Sequence, residues 1–274
     1  MTKGAISGRR THMDWATVAG WYTEQRFFEF PLAMLAFSVG VFFLLALPGT
    51  ILAWFDPPWA RRWAIQSTPF NVRQHVTRTL RLIVFNALIL ASLLILSWPL
   101  LRLTGIHGGP PPSAGTVLWQ LMFFILLDDM LYYGMHRLFH ENKWLLRRVH
   151  AVHHEIRTPY ALAGNHMHWV EYVATATLVL IGPVLVNAHY VTLYLWIIWR
   201  QVEAVDGHLG YDFPWNPLRL LPGYDGPGYH DFHHARFKGN YAGFLHWIDR
   251  RLGTALPQWE AWKASRQAAR KPAR

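Results

Sequence analysis

Four stretches of this chain are too long and too apolar for an ordinary water-facing helix or strand: Phe30 to Phe55, Leu82 to Leu101, Thr116 to Met135, and Tyr172 to Trp199. A bilayer core about 30 Å thick is crossed by ~20 apolar residues in a helix. Inside lipid the backbone must satisfy its own hydrogen bonds, which leaves helices or closed barrels. Runs without strand-like alternation choose the helix. The sequence therefore predicts an all-α integral membrane bundle. Only the third stretch is charged, at Asp128 and Asp129. The mean hydropathy of +0.10 is modest despite 52% hydrophobic residues, so the apolar character is concentrated in these spans. The first 29 residues are polar and mixed, and Arg9 and Arg10 precede no nearby apolar run. The first span is thus expected to act as its own targeting signal.

Charge between the spans orients them. Lys and Arg number four before Phe30, five in Asp56 to Arg81, one in Arg102 to Gly115, five in His136 to Glu171, and eleven from Arg200 onward. The positive-inside rule places the second, fourth and fifth of these segments in the cytoplasm. Tyr172 to Trp199 must then leave and return on one face, as a helical hairpin or re-entrant pair broken at Gly182-Pro183. The alternative is one tilted helix, which would put two histidine motifs on opposite sides of the membrane. Trp54, Trp98 and Trp199 sit near span ends, as interfacial anchors do. The chain divides into a polar segment 1–29, transmembrane helices 30–135, a histidine-rich region 136–254 with the hairpin 172–199, and a basic tail 255–274, whose end "KASRQAARKPAR" (263–274) is read as a solvated helix or frayed tail. The net charge of +10 accompanies apolar spans, so it is a topology signal and nucleic acid is not an expected partner.

There is no cysteine, and there are 16 histidines. Thiolate metal sites, iron-sulfur clusters and haem thioether links are excluded, so a metal must be held by nitrogen and oxygen. "HRLFH" spans His136 to His140, "HAVHH" spans His150 to His154, and "HDFHH" spans His230 to His234. On a helix, positions i, i+3 and i+4 fall within one turn, so each triplet is expected to present one face of imidazoles. Isolated copies such as His12, His75 and His189 are expected to be ordinary structural or surface residues. A pH switch built from clustered histidines is the competing reading. Clustered imidazolium beside Arg147, Arg148 and Arg157 would repel, whereas neutral imidazoles ligate iron, zinc, copper or nickel. Four to six ligands usually saturate one ion, so eight or more point to two.

Taken together, the three motifs resemble the histidine boxes of the fatty acid hydroxylase and sterol desaturase superfamily of membrane di-iron enzymes. "DDMLYYGMHRLFH" is similar to the family's approach to its first box, and "HHEIRTPYAL" to the run after its second. "EAVDGHLGYDFPWNPLRLLP" and "YHDFHHARFKGNYAGFLHWIDRRLGT" look most like the C4-methyl sterol oxidase and cholesterol 25-hydroxylase branch. The resemblance covers roughly Met122 to Thr254. It implies two iron ions, with zinc a possible occupant on purification, dioxygen as co-substrate, and oxidation of a C–H bond in a lipid. By position it assigns His136, His140, His150, His153, His154, His230, His233 and His234 as ligands, and His208 as a ninth. Where relatives often carry His-Pro-x-Glu, this chain has "HWVE", His168 to Glu171.

Asp129, His136 and His140 are spaced by seven and four residues, which places them on one helix face. A carboxylate in a membrane span is usually paired or functional, so Asp129 is read as the acceptor that orients a ligand imidazole. A hydrogen bond to a structural N–H is the bland alternative. Asp128 points about 100 degrees away and receives no role. His168, Glu171, Asn240, Tyr241, His246 and Asp249 are second-rank supports by family position.

The expected activity is oxygen-dependent hydroxylation or oxidation of a sterol-like lipid. Electrons would come from a separate cytochrome, ferredoxin or reductase. Fatty acyl, ceramide, ether-lipid or carotenoid substrates stay open, as does a non-catalytic metal-binding membrane protein. The membrane is expected to be the inner or plasma membrane in a bacterium and the endoplasmic reticulum in a eukaryote, with the boxes on the cytoplasmic side.

Overall fold

The computed structural model describes residues 14–269. His12 and the end of the basic tail lie outside them. Among the described residues the chain is all-helical, with two isolated bridges, Ala64 to Tyr211 and His107 to His189, and no strand.

Three helices are long and apolar enough to cross a membrane: α1 Gln25–Phe55, α2 Val72–Leu101 and α3 Ala114–Glu141. Only 28%, 22% and 22% of their most apolar windows are buried within the protein. Leu44, Val84, Leu88 and Leu96 point outward and exposed, a surface that suits lipid and not water. Two shorter helices follow, α4 Trp169–Leu185 and α5 Tyr190–Gly207. Helix α1 packs along α5, α3 along α4, and α2 against both α1 and α4. Since lipid is as apolar as leucine, such pairs are held by close packing. Gly182 supplies one such approach, because a Cβ there would lie 2.7 Å from the Phe124 ring.

Local chemistry sets the helix ends. Ser113 caps α3 by accepting from the Thr116 amide at 3.1 Å, just after "GGPPP". Asn142 ends α3 and accepts from Trp144 and Leu145 at 3.0 Å each. His189 caps α5 by accepting from Val191 at 3.0 Å.

Several boundaries differ from the sequence reading. The second helix begins at Val72, ten residues before the apolar run, because Val72, Thr79, Ile83 and Asn86 form a buried helical stripe. The third runs unbroken through 135/136, so the first histidine box occupies its last turns. Between Tyr172 and Trp199 the chain turns at 186–189; Gly182-Pro183 stays inside the last turn of α4. There the α4–α5 turn meets the α2–α3 loop through His107 N to Ala188 O at 3.3 Å and Tyr190 N to His107 O at 2.9 Å. The ends of α1, α3 and α5 and the starts of α2 and α4 therefore gather at the opposite end of the bundle.

Over that end lie α6 Gly228–Arg236, α7 Trp247–Leu252 and α8 Gln258–Ala269. Helix α8 is docked, and it carries the first part of the basic end 263–274 that the sequence reads as a solvated helix or frayed tail. Trp259 is buried and packs with Trp262 on Phe232, and Arg266 donates to the Ala64 carbonyl.

Candidate metal centre

At the covered end of the bundle nine histidines come together, all buried, in two groups. His136, His140, His150, His154 and His233 form one; His153, His208, His230 and His234 form the other. Within each group the candidate ligand atoms lie within 4.8 Å of one another. A shell of nitrogens at ~2.0–2.1 Å from an ion has a diameter of about 4 Å, so each group has the size of one coordination shell.

The expected single face per triplet is corrected by this arrangement. In the second box His150 ends a π-helical turn and His153 begins a 3-10 turn, so no regular α-helix runs through it. His150 and His154 join the group of five while His153 joins the other. The third box lies on α6 and divides in the opposite sense: His230 and His234 share one group and His233 crosses over. Residues i+3 and i+4 are ~100 degrees apart on a helix. One HxxHH motif therefore faces two neighbouring centres.

Hydrogen bonds fix which ring nitrogen faces inward. Nδ1 of His136 donates to the Tyr241 carbonyl at 2.7 Å, His233 to Gly239 at 2.7 Å, His208 to Ala204 at 2.8 Å, His234 to Ile156 at 3.1 Å and His153 to His166 at 3.3 Å. A carbonyl has no proton to give, so Nδ1 carries it and Nε2 keeps a bare lone pair. Those lone pairs face each other: Nε2 of His208 lies 3.2 Å from Nε2 of both His153 and His234. Nε2 of His136 is buried with no protein partner. Bare lone pairs at this distance repel unless a cation lies between them. The donor set thus fits a metal ion in each group, and neutral imidazoles suit divalent iron.

Burial keeps the rings neutral. It pushes His153, His154, His230 and His234 well below the ordinary 6.5, His208 down to about 4 and His233 to about 3, with neighbouring imidazoles adding to the effect in all but His208. The unfolded chain therefore binds more protons than the folded one as pH falls from 6.5 toward these values. Metal-stripped protein should lose melting temperature steadily between about pH 6.5 and 4. Thermal melts in chelator across that range check this, and a flat profile contradicts it.

The supporting residues differ in part from expectation. Glu171 accepts from His150 Nδ1 at 2.7 Å and is buried. Asp129, read as the imidazole acceptor, instead accepts from the Phe244 and Leu245 amides at 3.1 Å each. The reason is steric order: the Tyr241 carbonyl already occupies His136 Nδ1. His168 stands apart from the imidazoles and caps α4, accepting from Val170 at 3.3 Å. His246 stacks on Tyr229 and faces Asp225. Asp249 accepts from the Tyr241 amide at 2.9 Å and the Ala242 amide at 2.7 Å, and Asn240 Oδ1 takes the Leu256 amide. Loop 237–246, whose carbonyls hold His136 and His233, is thus pinned from two sides. Asp129→Ala should cost about 1–3 kcal/mol of stability by stranding buried amides. Asp129→Asn keeps an acceptor and should restore most of it with unchanged metal content, as melts and metal analysis can show. Loss of metal in the asparagine variant would reinstate the orienting role.

Main-chain acceptors leave no sequence signal, and Gly164 is equally silent. A Cβ there would meet the Ala204 carbonyl at 2.8 Å and His208 Nδ1 at 3.3 Å, so glycine lets 161–165 approach α5. Asp128 is buried and pairs with Arg200 at 3.3 Å. Beside the histidines opens a cavity of about 530 Å³ between α1, α2, α4 and α5, mostly apolar. It reaches from His208 and His230 to Leu101 and Leu185.

Comparison with known proteins yields the following. The fatty acid hydroxylase family model matches residues 121–254. A very-long-chain aldehyde decarbonylase of Oryza sativa subsp. indica is 33% identical, over 88% of this chain and 90% of that protein. Methylsterol monooxygenase 2-2 of Arabidopsis thaliana is 33% identical over 86% of this chain and 91% of its own length. Methylsterol monooxygenase 2-1 of the same plant is 31% identical over 88% and 95%. No solved structure matches.

Proposed function

Because the chain belongs to the fatty acid hydroxylase family, we propose that this membrane oxidoreductase uses two iron ions and dioxygen to oxidise a C–H bond of a sterol-like lipid. The observation that carries the reading is a pair of imidazole groups inside a membrane bundle, one of which lines an apolar cavity through His208 and His230. The relatives named as methylsterol monooxygenases support the sterol. The relative named as a very-long-chain aldehyde decarbonylase is 33% identical and supports a second substrate reading, a long-chain aldehyde.

Iron held here supplies dioxygen reduction and attack on an unactivated C–H bond. The rest is done by the chain. His136, His140, His150, His154 and His233 would hold one ion, and His153, His208, His230 and His234 the other. Glu171 orients His150 and raises its donor strength through Nδ1. The carbonyls of Gly239, Tyr241, Ala204 and Ile156 fix the tautomers of four further rings. The apolar walls desolvate the lipid and exclude water from the reacting carbon. A cysteine-free chain offers no redox thiol or iron-sulfur cluster, so electrons come from a separate donor protein.

The flanking arginines and lysines support a cytoplasmic histidine end. A tag inserted after Gly115 should be reachable from outside, and one after Arg274 only from the cytoplasm. Both tags reporting one side would overturn the orientation.

Lipid extracts from cells with and without the protein, supplied with 4-methyl sterols or long-chain aldehydes, test the substrate. An oxygen-dependent sterol product is expected. A product from the aldehyde alone would replace the sterol reading with the second one.

A further inference from the structure

Most polar groups along the cavity are already engaged by the protein. Ser97 donates to the Leu94 carbonyl, Thr175 to Glu171, and Gln201 to Ser38 at 2.8 Å. Arg200 and Glu203, one turn apart on α5, also line the wall. Arg200 Nη1 bonds Glu203, and Asp128 on α3 stands behind it, 3.3 Å from Nε. No protein acceptor among the described residues meets Nη2 of Arg200, and its Nε and both Asp128 oxygens make no well-directed hydrogen bond. A guanidinium has five N–H donors and a carboxylate about four acceptor positions. Glu203 takes one bond on each oxygen, from Trp199 Nε1 and from Arg200, so Arg200 keeps donors and Glu203 keeps acceptor positions at the edge of an apolar cavity.

Two carboxylates surround this one cation. Another anion seated here would bring a third negative charge into a medium of low dielectric, at high cost. A hydroxyl adds no charge. It accepts from Arg200 and donates to Glu203, using both spare capacities, whereas a carbonyl uses only the first. The position also suits an anchor. Arg200 Cζ lies 5.9 Å from the centre of the Tyr132 ring, which is itself 5.3 Å from the His136 ring. A lipid held there reaches the imidazoles with a different part of its skeleton.

We propose that Arg200 and Glu203, backed by Asp128, form a subsite for the hydroxyl of an alcohol lipid and reject free carboxylates. This rests on the lipid-oxygenase reading in taking the cavity as the seat of the substrate.

The test measures equilibrium binding to purified, iron-loaded protein at pH 8, using cholestanol against cholestane and 1-hexadecanol against hexadecanoate. In every pair that binds measurably the alcohol should bind about tenfold or more tightly than its partner. Glu203→Gln, which is isosteric, should narrow the hexadecanol preference about tenfold by admitting the acid, with iron content unchanged. Arg200→Lys keeps the charge but loses the planar fork and should weaken alcohol binding severalfold. Failure of all four probes to bind overturns the subsite. So does equal or tighter binding of hexadecanoate by the wild type, or an unchanged ratio in iron-replete Glu203→Gln. Oxygen-dependent product formation is read separately. Intact alcohol selectivity without any product would defeat the oxygenase reading and leave the subsite standing.

Discussion

His233→Ala abolishes turnover and lowers bound iron, while His107→Ala, at the opposite end of the bundle, leaves both unchanged; this is the largest effect expected. His233 is the one member of the third box in the group of five. Its Nδ1 is fixed by the Gly239 carbonyl, and its Nε2 lies 3.2 Å from Nε2 of His154. Removing it opens one coordination shell and frees the loop that also carries the Tyr241 acceptor for His136. His153→Ala makes the same cut in the other group, from the second box. Because the second and third boxes each feed both groups, while the first feeds only the group of five, each substitution should disturb both centres through the shared boxes. Iron analysis and product assay on both variants check this, and wild-type activity in either removes the two-centre assignment.

The second large effect is at Glu171. Its carboxylate is the only side chain among the described residues that holds Nδ1 of a clustered histidine. Glu171→Ala leaves His150 without its partner and free to adopt the wrong tautomer. Support of this kind is worth about 10–100-fold in metal affinity or activity. Glu171→Gln keeps an acceptor and should lose less. Measuring iron retention during dialysis against chelator separates the two, since a purely packing role would let glutamine match the wild type.

How much of this was legible depends on what the physics writes into side chains. The three boxes are visible because imidazole clustering is a side-chain property, whereas His208, isolated in the sequence, comes only from the family resemblance; all nine rings meet. Their division was not, because the second box abandons regular helix for π and 3-10 turns. Helix spacing put Asp129 on the face of His136, yet a carbonyl from loop 237–246, distant in sequence, had taken that nitrogen. Asp128 received no role from the same geometry, since its partner Arg200 lies on another helix. The turn at 186–189 was missed in favour of Gly182-Pro183 because glycine there serves packing against Phe124. The docking of α8 rests on Trp259 and Trp262, just ahead of the basic end, whose charge conceals the Arg266 contact.

The central claim is that each imidazole group holds one iron ion and that this pair performs the chemistry. It is tested most directly by the iron-to-protein ratio of purified protein that forms oxygen-dependent lipid product. About two iron atoms per chain are expected, in keeping with two imidazole shells. Active protein lacking iron would contradict the account.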